Sequence, residues 1–338
     1  MTYKAIFSGH FEFGSERSYQ KMVEMFEHRS ENYYRNAILL NGEEVFDEES
    51  QSLHVPREIA PAASSKEWNN TINILKFVAD YAIAGSFSAW MVNEGKVLKH
   101  LFIEPSSDKA AVQAFLKGRE LVQEEGREQE AMKALSRAIE KYERHAKAYE
   151  RRGFVNQQLR NYDDAIYDYS KSIDINPNAA EPHLGRALVY IVKEDYATAI
   201  ADLVFAIKGS IPLQPMFWQS RRIKGECHLK LEQWEKAALE LKFVTKRPFK
   251  EDDPNYKWRK RAFSNYGIAL FELGKYEEAL TAFDTALSID SGLEVPQSEL
   301  LLYRGMTLQQ LGKSGFQKAW EEAANYGSER AAELLQAI

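Results

Sequence analysis

In the stretch "RNYDDAIYDYSKSIDINPNA", residues 160–179, Tyr162, Ala165, Tyr169 and Ser172 fall three or four places apart. That spacing puts their side chains on one face of a helix, which Pro177 ends. The pattern returns. Residues 146–179 and 180–213 are adjacent blocks of 34 in which Gly153 matches Ala187, Tyr162 matches Tyr196, Ala165 matches Ala199 and Ser172 matches Ala206. One step back, 112–145 has Ala131 and Ala138 in the same slots. Further on, 218–251 supplies Gly225, Trp234 and Ala237, and 260–293 supplies Gly267, Tyr276, Ala279, Phe283 and Ala286. A sixth block from Ser298 begins with Tyr303 and Gly305, then needs two extra residues before Phe316 and Ala319 fall into step. Self-similarity at a fixed period of 34 predicts a repeat architecture.

Residues 1–105 follow other periods. "YKAIFSGHFEF" alternates, with Tyr3, Ala5, Phe7, Phe11 and Phe13 on one side, and predicts a strand. "ERSYQKMVEMFEHRSE" predicts a helix through Tyr19, Met22, Val23 and Phe26, and Asn41-Gly42 between apolar runs predicts a hairpin turn. Ser64 and Glu67 form a capping-box pattern ahead of a second helix, and a second hairpin turns at Asn93–Gly95. Strand, helix, hairpin, helix, hairpin implies a small α+β layer with its helices on one face of the sheet. "EPSSD" (104–108) reads as the junction, with Ser106 or Ser107 capping the next helix.

Over about 112–338 the chain resembles the tetratricopeptide repeat (TPR) family. That family wants a small residue at position 8 of each 34-residue unit, an aromatic near 17, Ala at 20 and 27, and often Pro at 32. The resemblance implies a mainly α protein: a solenoid of about six helix-turn-helix repeats over 106–338, following a small α+β domain over 1–105. The repeats fall at 112–145, 146–179, 180–213, 218–251, 260–293 and 298–327, with a capping helix over 328–338. Arg119 departs from the pattern at position 8 of the first repeat. Insertions at "QPMF" (214–217), at "EDDPNYKW" (251–258) and around "EVPQ" (294–297) lengthen three connections.

The 338 residues carry a formal charge of −6, and the imbalance is local. Residues 1–108 hold 10 Lys/Arg against 16 Asp/Glu, and the remainder holds 34 of each. A neutral array with an acidic leader argues against a nucleic-acid partner. The basic-aromatic run 246–263 is interrupted by Glu251, Asp252 and Asp253, and reads as a solvated linker. The single cysteine, Cys227, excludes an intramolecular disulfide and reads as a buried thiol. The chain starts without the apolar run of a signal peptide and lacks a stretch of membrane-spanning length, so a cytoplasmic location is expected.

Catalytic signals are weak. The seven histidines have no i,i+4 pair and no cysteine neighbour, so no metal site is expected. "LGKSG" (311–315) mimics the end of a phosphate loop, but Thr307 stands where its first glycine belongs. No catalytic residue and no cofactor is expected. His10, Glu12, His54, His100 and Glu104 could share one sheet face, which keeps open the alternative of a catalytic or ligand-sensing N-terminal domain that the array targets.

By the resemblance, positions 2, 5, 9, 12 and 13 of each repeat face a concave groove that binds a protein or peptide segment. The candidate groove residues are Lys147, Phe154, Leu184, Leu188, Ile191, Arg261, Ile268 and Phe271. The family's clamp for chaperone-tail carboxylates is not matched: Arg222 and Asn265 fit, but Glu226, Glu299 and Tyr303 do not. The expected role is a non-catalytic adaptor with an apolar groove, charged at its edges.

Overall fold

The computed structural model describes residues 2–290 and 295–337, which fall into two compact units, Met1–Arg186 and Ala187–Ile338. The division lies inside a helix of the third repeat rather than at the junction near residue 105.

The first unit opens with β1 (Thr2–Glu12), α1 (Glu16–Asn32), the one-turn α2 (Gly42–Val45), β2 (Phe46–Asp47), β3 (Ser52–Ser64), α3 (Ser65–Tyr81), β4 (Ala84–Asn93) and β5 (Lys96–Ile103). Among the described residues the strands form an antiparallel sheet in the order β2-β3-β1-β4-β5. Alternation along β1 sends Ala5, Phe7 and Phe11 to one face. There they bury with Tyr19, Met22 and Phe26 of α1 and Trp68, Leu75 and Val78 of α3. The capping box forms, with Ser64 N–H donating to Glu67 and Glu67 N–H to the Ser64 hydroxyl. At the β4–β5 turn Glu94 and Gly95 both have positive φ, as a tight hairpin requires.

Two local expectations fail. Asn41-Gly42 is a helix start: the Asn41 side chain accepts from the Glu43 N–H and caps α2. The hairpin turns later, where the Asp47 carboxylate gathers the N–H groups of Glu49 and Ser50 and the Ser50 hydroxyl. Neither Ser106 nor Ser107 caps the next helix. α4 (Ala110–Leu121) begins after Lys109, whose ammonium instead bonds the carbonyls of Tyr81 and Ala82.

α4 pairs with α5 (Glu128–Lys141), and α6 (Ala146–Gln158) with α7 (Tyr162–Ile175). α8 (Ala180–Val192) then crosses into the second unit. A Cβ on Gly118 would lie 2.7 Å from Leu135, so Gly118, not Arg119, is the small residue of the first repeat. Arg119 pairs with Glu104 instead. Tyr169 is fully buried and packs where Gly153 and Gly185 leave room. Arg152 grips Asp168 through two bonds of 2.7 and 2.9 Å and donates to Ser136, tying α5, α6 and α7 together.

The second face of the sheet buries Ile6 and Trp90 beside the polar His10 and Glu12, and these polar groups meet the array. Glu12 is 2% exposed; it accepts from the Tyr142 hydroxyl at 2.9 Å and lies 3.6 Å from Arg144. The Asn176 amide donates to His10 Nδ1 at 3.0 Å, and that of Asn178 to His54 Nε2 at 3.3 Å. The N-terminal layer is thus held between its own helices and the first two repeats.

The second unit continues with α9 (Tyr196–Gly209), α10 (Pro215–Lys230), α11 (Trp234–Thr245), α12 (Arg259–Glu272), α13 (Tyr276–Leu287), α14 (Gln297–Gln310), α15 (Phe316–Asn325) and α16 (Glu329–Gln336). Gly225 meets Leu241, Gly267 meets Phe283 and Gly305 meets Trp320, one close contact per repeat. "QPMF" lengthens a helix rather than a loop, because Pro215 needs no N–H partner at the first position of α10. "EDDPNYKW" ends in a 3-10 turn, Tyr256–Trp258, that runs into α12. The insertion around "EVPQ" falls partly on residues 291–294, outside the described residues. Gly312 turns α14 toward α15 with φ +63°, consistent with a helix-to-helix turn.

Gly267→Ala would press a methyl to 2.5 Å from the buried Phe283 ring. It is expected to destabilise the protein by about 1–3 kcal/mol despite the gain in helix propensity, measured by urea unfolding. The sheet–array contact predicts a pH dependence. Burial, with the charges of His54, Lys147, His145 and Arg144 adding to it, pushes His10 down to about 3, and burial pushes His145 down to about 4. Both are therefore neutral in the fold. Their stability contribution is complete above the unfolded value near 6.5 and is lost as the pH falls below it, by at most about 1.4 kcal/mol per pH unit for each histidine. Glu12, whose carboxyl burial raises above 4.5, acts in the opposite sense as the pH falls toward that value. The melting temperature should fall between pH 7 and pH 5, with a visibly shallower slope in His10→Gln.

Candidate functional site

In the first unit, Lys147, in the first turn of α6, lies 3.5 Å from Glu181. Glu150, one turn on, is 6% exposed, and burial raises its carboxyl above the usual range. Arg151 lies 3.3 Å from it, yet its Oε2 has no hydrogen bond. Gln157 accepts from the Tyr169 hydroxyl at 3.0 Å and so belongs to the packing. Phe154 keeps 36% of its surface exposed. Leu184 is only 7% exposed, so it is a packing residue with little surface for a ligand. The structure brings Lys147 and Glu181 together and leaves Phe154 apart from them as an accessible ring.

In the second unit Leu188 and Ile191 are half-buried on α8, and Val192 beside them is 54% exposed. Ile268 and Phe271 are partly buried on α12, and Phe271 meets the edges of Tyr276 and Tyr303 at 5.5 Å. Arg261, half-exposed, lies 3.4 Å from Glu226. The same Glu226 oxygen takes Arg222 at 2.8 Å and the Asn265 amide at 3.5 Å. A single carboxylate of the chain itself thus sits on the three basic and amide groups that α10 and α12 present. Next to it Cys227 is 2% exposed, and its thiol is pushed up to about 12 by burial and the Glu226 charge, which makes it inert as a nucleophile.

Four of the five residues of the alternative reading share a face: His10 stands opposite His54 in the ladder, Glu12 lies two places on, and His100 stacks on Trp90 at 5.0 Å, while Glu104 lies past the end of β5 and pairs with Arg119. The array covers His10 and Glu12. Among the described residues no group of three His, Cys, Asp or Glu is arranged to hold a metal ion. An open groove of this domain, about 620 Å³, is lined by Glu27, Glu31, Asn36, Ile38 and Glu43 among others and has no histidine in its lining. Among the described residues no helix is long and apolar enough to cross a membrane.

Sequence reasoning missed the Tyr142–Glu12–Arg144 and His10–Asn176 contacts. The available signal was the even positions of β1, where His10 and Glu12 are polar residues in a strand whose other face is fully apolar.

Two segments match family models described as tetratricopeptide repeat, residues 146–179 and 261–293. These lie in the array; the N-terminal α+β domain matches no family model. No curated protein matches the chain. Among solved structures, YrrB, "a TPR protein with an unusual peptide-binding site", is 20% identical with a TM-score of 0.52, covering 61% of this chain and 100% of its own. PilF of Pseudomonas aeruginosa is 16% identical with a TM-score of 0.51, covering 68% and 98%. At these identities the likeness is one of fold. With the two family matches and a small residue against a large one in each helix pair, the helical part of this chain is a tetratricopeptide-repeat array.

Proposed function

We propose that the protein is a non-catalytic adaptor that holds an extended or helical segment of a partner protein along the first helices of its repeats. The observation that carries this reading is the accessible apolar row at the end of α8, where Leu188 and Ile191 are half-buried and Val192 is 54% exposed. A repeat array that used such positions for its own packing would bury them, as it buries Leu184. Within the second unit Ile268 and Phe271 on α12 are further candidate anchors and Arg261 supplies charge; within the first unit the corresponding candidates are Phe154 and Lys147 on α6. Apolar anchors in a groove give affinity, while the charges set partner choice and on-rate. YrrB, by its description, has a peptide-binding site, which makes a peptide ligand a natural one for an array of this fold.

The test compares capture of partners from native extract by wild type and by Leu188→Asp/Val192→Asp, after equal thermal melts have been verified. A partner retained by wild type should bind the variant about tenfold or more weakly in titration, since a buried apolar anchor is worth about 1.4 kcal/mol or more. Equal affinity would overturn the groove assignment. Leu184→Asp is unsuitable here, because it would unfold the helix contact instead.

A further inference from the structure

The first repeat has no repeat before it, and one side of its helix pair is open. Among the described elements α4 packs extensively only against α5. In the second repeat the matching side is filled by the first. Gly118 and Gly153 are the small residues of the two repeats, 35 positions apart, so Ala110, Gln113, Ala114 and Lys117 match His145, Ala148, Tyr149 and Arg152. His145, Ala148 and Tyr149 are 1%, 0% and 8% exposed. The His145 ring centre lies 4.8 Å from that of Phe115 on α4, and Arg152 donates to Ser136 of α5. Their four counterparts on α4 instead line an open groove of about 420 Å³, where Ala110, Gln113 and Lys117 are exposed.

The other wall is α5, through Glu130, Lys133, Ala134 and Arg137. On both walls the lining falls at i, i+3, i+4 and i+7, the spacing at which a helix meets a neighbouring helix. The groove is basic. Arg127 takes both oxygens of Glu130, at 2.9 and 2.6 Å, while Lys117, Lys133 and Arg137 have no ion pair among the described residues. Bonds from Arg127, with the charges of Lys117 and Lys133 added, hold the Glu130 carboxyl below its usual range, so both ammonium groups lie near one part of the groove. Asp168, which pairs with Arg152 in the second repeat, is matched in the first by Ala134, 34 positions before it.

The last described helix of the second unit is complementary. α16 has eight residues, about 12 Å, the same span as the linings 110–117 and 130–137. Ala331 is fully buried, and Leu334 and Leu335 join it in the cluster around Trp320. The opposite face carries Glu329, Ala332, Glu333 and Gln336, again at i, i+3, i+4 and i+7. Both glutamates are exposed and have no ion pair among the described residues. Arg330, the one cation of α16, acts on Tyr303 of α14.

We propose that a second copy of the chain lays its α16 in this groove, with Glu329 and Glu333 against Lys117, Lys133 and Arg137, and Ala332 over Ala114 and Ala134. The first repeat of one copy then gains the cover that the second repeat has from the first. Because the two surfaces differ, the contact is heterologous and can join copies in a row. An eight-residue helix covers less surface than a stable dimer needs, so the association is weak and sensitive to salt. It makes no use of the apolar row of α8 and does not depend on the partner-groove reading.

The test is sedimentation velocity of the full chain over about a hundredfold range of concentration, at low and at high salt. For wild type the average mass should rise with concentration, and added salt should return it to that of the monomer. Lys133→Glu/Arg137→Glu, at two exposed positions, should keep the wild-type melt and weaken association about tenfold or more. Glu329→Lys/Glu333→Lys should do the same. Since a lysine at the start of α16 opposes the helix dipole, Glu333→Lys alone is the second variant on that helix. An equal mixture of the two double variants should associate again, because the reversed groove of one then meets the reversed helix of the other. Leu188→Asp should associate as wild type does. A wild-type chain that stays monomeric, association unchanged in both double variants, or no recovery in the mixture would overturn the proposal. Monomeric wild type that captures a partner lost by Lys133→Glu/Arg137→Glu would assign the groove to another protein's helix and likewise overturn self-association.

Discussion

The array depends on one contact, repeated: a glycine or alanine on the first helix of a repeat against a large side chain on the second. Gly118 with Leu135, Gly225 with Leu241, Gly267 with Phe283 and Gly305 with Trp320 are each too close for an added methyl. In an interior packed at crystal density there is no slack to absorb it. Tyr169 serves two glycines at once, Gly153 in its own repeat and Gly185 in the next, so one ring fixes a pair and its neighbour. These contacts are local in sequence, which is why the pattern can recur with small variations and tolerate insertions between repeats.

The N-terminal layer obeys a different rule on each face. One face buries Phe7, Phe11 and Phe87 against α1 and α3. The other buries His10 and Glu12, and is stable only because Tyr142, Arg144 and Asn176 meet them. Polar groups taken from water must find partners, and each partner here comes from the array. The polar part of this docking is therefore sensitive to protonation.

In the second unit the insertion of residues 246–258 converts a run that reads as solvated linker into packed structure. Phe249 buries with Val244 and Ala262, and arginines lie over Trp258, Tyr256 and Trp218. The basic-aromatic mixture is then largely a set of internal arginine-ring pairings.

What the sequence determined by itself is the array: the period of 34, the small residues and the turns are all local, and helix boundaries fall within a few residues of the blocks. The strand alternation and the Ser64–Glu67 box are legible for the same reason. The first hairpin is misplaced by sequence alone because Asn-Gly suits a helix cap as well as a turn, and only the packing of Phe46 and Leu53 chooses between them. Arg119 reads as a lost packing residue because one residue of loop shifts the register to Gly118. The groove is legible only as a set of positions. Whether Leu184 or Val192 meets a ligand depends on how deeply the neighbouring helices cover each, and coverage is a property of the assembled helices. The pairing of Glu12 with Tyr142 joins residues 130 apart, and Arg222 of α10 lies over Trp258 of the insertion, 36 positions on. Contacts of that separation leave no period in the chain, so tertiary structure alone decided them.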